Sequence, residues 1–314
     1  MSFAQDVKTE IASIPLEKED EANIIASFSG FIRNNIKISN NRYTLCTENM
    51  TISIWIYKIF KRLFNREVKI VTEKNQAFNK NNVYIIKLDD LKEELETLEV
   101  IDKKGKRLYQ VDSYLVDDSS LMVSYLKGAF MASGSLNDPK TSRYHLEFVV
   151  SFKGEAIFIQ RLLNNFDLNS RMLFRGKKYM IYIKEAEKIS DLIKMMQANK
   201  SVLYFENVRV YREQKNLVNR LNNVEQSNLE KAMLSGKKQV DNIKFLKEIG
   251  EFSKFSHKEQ EMAEFRLKYP ESSLSELSEI IYKEKDRKIT KSGLNHFFRK
   301  VKTIVENKKI NKSK

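Results

Sequence analysis

The chain has 314 residues, 41% hydrophobic and 11% aromatic, with 9 glycines and 3 prolines, enough for about two folded domains and unlike a fibrous or low-complexity protein. Lys and Arg number 56 against 42 Asp and Glu, a net charge of +14 that favours an anionic partner such as nucleic acid or an anionic membrane surface. One cysteine, Cys46, and three scattered histidines, His145, His257 and His296, exclude an intramolecular disulfide framework and a four-ligand zinc site of familiar spacing, and the expected compartment is reducing.

The first ten residues place Asp6, Lys8 and Glu10 where a signal peptide needs an apolar run, and no stretch approaches ~18 uncharged apolar residues. A soluble, cytoplasmic protein without a membrane partner is expected. From about residue 20 one order of elements runs twice. An apolar helix, 20–34 and again 119–132, leads into two short strands near 36–39 and 43–47, then 134–136 and 144–150. A second helix follows, 49–64 or 154–166. Next comes a hairpin of 68–72 with 83–88, or 171–174 with 179–183, its turn at 79–82 or at Gly176-Lys177-Lys178. A closing helix, 91–98 or 184–196, completes each copy.

This repeat predicts an α+β fold with two αββαββα halves, 1–105 and 106–205, related by a pseudo-twofold axis, with helices on one face of antiparallel sheets. Trp55 with Ile52, Ile56, Ile59 and Phe60 reads as core, and His145 with Glu147 as a cross-strand structural pair. After Val210 the pattern turns helical with polar faces, over 213–221, 227–233 and 238–249, which reads as a connector spanning 206–255. Its residues Arg209, Arg212, Asn216, Asn219, Arg220, Asn228 and Lys231 suit either a solvated linker or a phosphate-contacting face. A three-helix domain, 256–314, closes the chain: 257–269, a stop at Pro270, 274–282 capped by Ser272 or Ser273, and a last helix from about 292 to 306 capped by Thr290 or Ser292.

The charge is concentrated in that last domain. Residues 206–282 balance 13 basic with 13 acidic side chains, whereas 283–314 carry 12 basic against 3 acidic. Leu274, Leu277, Ile280 and Ile281, with Leu294, Phe298, Val301 and Val305, recur at helical spacing and close a small core with Met262 and Phe265. The opposite face of the last helix carries Lys291, Ser292, Asn295, His296, Arg299 and Lys302, with Lys300 beside them. Asn and Arg suit adenine and guanine edges, and Lys and Ser suit phosphate oxygens, so a double-stranded DNA reader is expected there.

Two nonamers, Phe28-Ser29-Gly30-Phe31-Ile32-Arg33-Asn34-Asn35-Ile36 and Leu126-Lys127-Gly128-Ala129-Phe130-Met131-Ala132-Ser133-Gly134, end the leading helices. Glycine inside a helix costs ~1 kcal/mol against alanine, so Gly30 and Gly128 imply a close helix-to-helix approach. The pair resembles the two LAGLIDADG helices of the homing endonuclease fold. In those nucleases the eighth position of each motif is an acid that holds a metal ion; here it is Asn35 and Ser133, so a domain without catalysis, cofactor or bound metal is expected.

Residues 130–135 with Asn137-Asp138-Pro139, Tyr144-His145-Leu146-Glu147, 184–189, Phe205-Glu206-Asn207-Val208-Arg209 and Val218-Asn219-Arg220-Leu221 resemble the WhiA family of bacterial transcription regulators over nearly the whole chain. That resemblance implies a degenerate LAGLIDADG-like domain joined to a C-terminal helix-turn-helix, acting on cell-division and, where present, sporulation genes. The run 289–296 is similar to the family's recognition helix and implies contacts from Lys291, Ser292, Asn295 and His296, with Arg299 beyond them. Phe297 stands where the family usually has a basic residue and is free to extend the core or support a partner surface. The expected function is sequence-specific transcription regulation from the nucleoid, with the nuclease-like domain holding a protein partner, more DNA, or both. The alternatives are a LAGLIDADG endonuclease with relocated acids and a non-specific chromosome-organising protein.

Overall fold

In the computed structural model, residues 2–39, 42–74, 82–109, 111, 113–141 and 143–312 are described. Phe3, Ala4, Val7 and Ile11 fall on one helical face and are buried, which fixes α1 (Phe3–Ala12), a helix with no counterpart in the sequence reading. The two predicted copies then follow in order. The first is α2 (Glu21–Asn35), β1 (Lys37–Ser39), β2 (Arg42–Thr47), α3 (Met50–Phe64), β3 (Ile70–Lys74), β4 (Asn82–Asp89) and α4 (Lys92–Thr97). The second is α5 (Ser119–Ser133), β5 (Gly134–Leu136), β6 (Leu146–Val150), α6 (Lys153–Asn165), β7 (Arg171–Arg175), β8 (Lys178–Ile183) and α7 (Ala186–Met195).

Each copy builds a four-stranded antiparallel sheet, ordered β1-β2-β4-β3 in one and β5-β6-β8-β7 in the other. The identical order is the twofold repeat in physical form. Gly176 (φ 58°) and Lys177 (φ 66°) make the tight turn between β7 and β8, the paired left-handed conformations that a two-residue hairpin needs. In the first hairpin, residues 79–81 of the expected turn lie outside the described residues.

The two copies meet along α2 and α5. A Cβ on Gly30 would lie 2.2 Å from the Tyr125 carbonyl oxygen, and one on Gly128 only 1.7 Å from that of Ser27. Backbone meets backbone there, as the small residues require. Around the axis Phe28, Phe31, Leu126 and Phe130 join Trp55, Ile56, Ile59 and Phe60, all buried in one continuous core.

One buried polar cluster ties the two copies together. Arg33, at the end of α2, donates from Nε to Glu155 of α6 at 3.2 Å and from its terminal nitrogens to the Glu99 and Leu108 carbonyls. Glu155 also accepts from the Tyr125 hydroxyl at 2.5 Å and from Asn34 at 3.3 Å. Burial, reinforced by the Glu155 carboxylate, pushes the Tyr125 hydroxyl well above its usual range.

His145, just before β6, and Glu147 on it lie 3.0 Å apart, two residues apart in the chain rather than across two strands, and the imidazole stacks on Tyr182. A fifty-residue helix, α8 (Asn199–Glu248), follows α7, where the polar faces had suggested three shorter helices. Its first turn is capped from α1: Glu10 accepts from the amides of Lys200 and Ser201 at 2.7 and 3.0 Å. The chain divides into two compact units inside α8, Met1–Arg212 and Glu213–Lys314.

The second unit adds α9 (His257–Lys268), α10 (Leu274–Lys285) and α11 (Lys291–Lys312) to the last turns of α8. Ser256 with Glu259, and Ser273 with Glu276, form reciprocal capping boxes that start α9 and α10. The expected apolar positions are buried or partly buried, joined by Ile243 and Leu246 of α8, Phe255, Ile289 and Phe297. No helix among the described residues is long and apolar enough to cross a membrane.

Candidate nucleic-acid interface

The geometry of α10 and α11 is set by a buried cation and two polar ties. Arg266 of α9, 1% exposed, donates to the Ser272 carbonyl at 2.6 Å and to that of Tyr269 at 3.2 Å, while its guanidinium lies over the Phe298 ring at 5.4 Å. Burial holds its pKa below the usual arginine value. That one side chain fixes the turn between α9 and α10 and bears on α11. Ser278 of α10 donates to the Ile289 carbonyl, and the Thr290 hydroxyl accepts from the Gly293 amide at 3.2 Å, which fixes the start of α11. Gly236 of α8 passes so close that a Cβ would lie 2.2 Å from the Pro270 carbonyl oxygen. These roles of Arg266 and Gly236 leave no pattern in the sequence, because their partners are carbonyls rather than patterned side chains.

Leu294, Phe297, Phe298, Val301 and Val305 turn α11 inward. Phe297, 3% exposed, packs edge-on against Phe255 at 5.9 Å, so it extends the core. Outward, Lys291, Ser292, Asn295, Arg299 and Lys302 share one stripe by helical spacing, with His296 at its edge. All six are exposed. The first turn of α11 carries no acid, so its free amides and positive dipole end add to the attraction for phosphate.

The seven candidates differ in their ties. Lys300 pairs with Glu259 of α9 at 2.8 Å and lies over the Phe255 ring at 5.5 Å, off the stripe. Its ammonium, with the Ser256 cap, holds the Glu259 carboxyl below the usual carboxylate range. Lys302 pairs with Glu306 one turn on, at 3.6 Å, both side chains well exposed. Among the described residues no carboxylate pairs with Lys291 or Arg299, and the amide of Asn295 has no side-chain partner.

At the ends of the axial helices the polar groups are engaged. The Asn35 amide donates to the Cys46 carbonyl at 2.8 Å and accepts from the Cys46 amide at 2.9 Å, which ties α2 to β2. The Ser133 hydroxyl donates to the Ala129 carbonyl at 2.9 Å. Among the described residues no group of three or more His, Cys, Asp and Glu side chains could hold a metal ion. Of the connector residues, Arg212 donates to the Pro139 and Thr141 carbonyls at 2.7 Å and lies over the Tyr144 ring, and Arg209 pairs with Glu206 at 3.1 Å. Both serve the local fold.

Family models match most of the chain: the WhiA N-terminal LAGLIDADG-like domain over residues 21–101, the WhiA LAGLIDADG-like domain over 122–215, and the WhiA C-terminal HTH domain over 218–305. A protein of Staphylococcus epidermidis named probable cell division protein WhiA is 38% identical over 311 residues, 98% of this chain and 97% of that one. Its namesake from Enterococcus faecalis is 39% identical over 314 residues, 98% of each. The crystal structure of full-length WhiA from Thermatoga maritima has the same fold, with a TM-score of 0.59 at 20% identity over 98% of this chain and 99% of that one. The chain belongs to the WhiA family.

Proposed function

We propose that the protein is a sequence-specific regulator of transcription that binds double-stranded DNA through α11 and acts on cell-division or chromosome-related genes. The observation that carries this reading is the outward stripe of α11, where Lys291, Ser292, Asn295 and Arg299 stand exposed at the start of a helix whose other face is a closed core. Asn295 reads a base edge, Arg299 a base edge or phosphate, and Lys291, Ser292 and Lys302 position the backbone. His296 works from the edge of the stripe, and Lys300, tied to Glu259, contributes long-range charge. The helix-turn-helix model that matches residues 218–305 and the cell-division names of the relatives support this reading.

The LAGLIDADG-like domain performs no cleavage on this reading, because the two positions that carry acids in the nucleases hold a neutral amide and a hydroxyl, each already hydrogen-bonded within the fold. It serves instead to hold a protein partner or additional DNA, in the cytoplasm at the nucleoid. Genome-wide crosslinking of the wild-type protein and of Asn295→Ala tests the reading. Discrete peaks sharing one motif, lost or flattened in the variant, support regulation; uniform coverage of the chromosome contradicts it. Magnesium-dependent cleavage of supercoiled plasmid by contaminant-free protein would contradict the absence of catalysis.

A further inference from the structure

Buried cations in the N-terminal unit have acceptors. Lys127 reaches Glu19 at 3.2 Å and Gln197 at 3.0 Å, and Arg33 has Glu155 and two carbonyls. Lys8 is different. It projects from α1 into a cavity of about 280 Å³ bounded by Asn35 at the end of α2, Glu48 after β2, and Met131 near the end of α5. Among the described residues no carboxylate pairs with its amine, which lies over the Phe130 ring, 5.8 Å from its centroid. Burial lowers its pKa from 10.5 to about 8, and the more distant Glu48 offsets this only in part. Surroundings that compensated the ammonium would have raised that value. A partly desolvated cation without a paired carboxylate is stabilised when an anion joins it.

The rest of the cavity indicates what kind of anion fits. Ile52 and Met131 give it apolar walls, and the Asn35 amide is already committed to Cys46, so Lys8 is the anchor for negative charge. Glu48 is an acceptor that repels a second anionic group but welcomes a hydroxyl. The volume lies at the small end of ligand pockets. We infer that this cavity binds a small hydroxylated phosphate of the sugar-phosphate class, with the Lys8 ammonium on the phosphoryl oxygens and the Glu48 carboxylate accepting from a hydroxyl.

Calorimetric titration of the full chain at pH 7 and fixed ionic strength, with ribose 5-phosphate, inorganic phosphate and ribose as probes, tests this. Saturable binding of ribose 5-phosphate is expected, weaker binding of inorganic phosphate, and none of ribose. Lys8→Met removes an uncompensated charge, so it should fold at least as stably as the wild type and weaken ribose 5-phosphate about tenfold or more; Lys8→Gln serves if it does not fold. No saturable binding to the wild type in the millimolar range, or equal affinity in wild type and variant, overturns the proposal. Displacement of the sugar phosphate by duplex DNA, with weaker duplex binding by Lys8→Met, would assign the cavity to the DNA backbone and overturn it as well.

Discussion

Asn35 and Asn295 are the same residue placed in opposite circumstances. Asn35, at the end of an axial helix, has both ends of its amide bonded to the backbone of Cys46. Asn295, one turn into α11, is exposed and has no side-chain partner. The contrast extends to their surroundings: Arg33, Asn34, Tyr125 and Glu155 satisfy one another inside the axial region, whereas the stripe of α11 presents its polar groups to solvent. Polar groups at the axis hold the fold, and those on α11 are available to a ligand.

Substitutions at the axis should therefore reduce stability, and the largest loss should come from Glu155. Glu155→Leu leaves Arg33, fully buried, without its counter-charge and should cost about 3–5 kcal/mol. Arg33→Met combined with Glu155→Leu should recover part of the loss in thermal melts; no recovery would mean that the two charges do not interact. Gly128→Leu comes next, at ~1–3 kcal/mol or more, because even a Cβ overlaps the Ser27 carbonyl. An unchanged melting temperature would show that α2 and α5 do not meet there.

The effect at Lys8 is one of pH, with a folded pKa of about 8 against 10.5 when unfolded. Between those values the unfolded chain binds more protons, so the group's contribution to stability rises as pH increases from 8 to 10.5 and its cost is fully present below 8. Urea titrations of wild type and Lys8→Met across that range should differ by this rise. Parallel curves would mean that the amine is not desolvated.

The repeat was legible in the sequence because its apolar periodicity, turns and helix glycines are local signals. Strand ends moved by only one or two residues where pairing decides them, as at Leu146 and Lys178. The helix α1 was not seen, although Phe3, Val7 and Ile11 carry its spacing, because ten residues are marginal until docked. The continuity of α8 was hidden by its polar faces and by Gly236, which marks a close backbone approach rather than a break. On the candidate interface, helical spacing was enough to place Lys291, Asn295 and Arg299 on one stripe. The tie of Lys300 to Glu259, 41 residues away in the chain, required the fold.

The proposed reader of sequence is α11, and its most direct test is a salt titration of target and random duplexes with the wild type, Asn295→Ala and Lys302→Ala. Asn295→Ala should leave the melting temperature nearly unchanged, weaken the target by ~1–3 kcal/mol and leave the random duplex almost unaffected. Lys302→Ala should weaken both duplexes about equally and reduce the salt slope by about one. Equal weakening of target and random duplexes by Asn295→Ala would contradict the assignment of base readout to this helix.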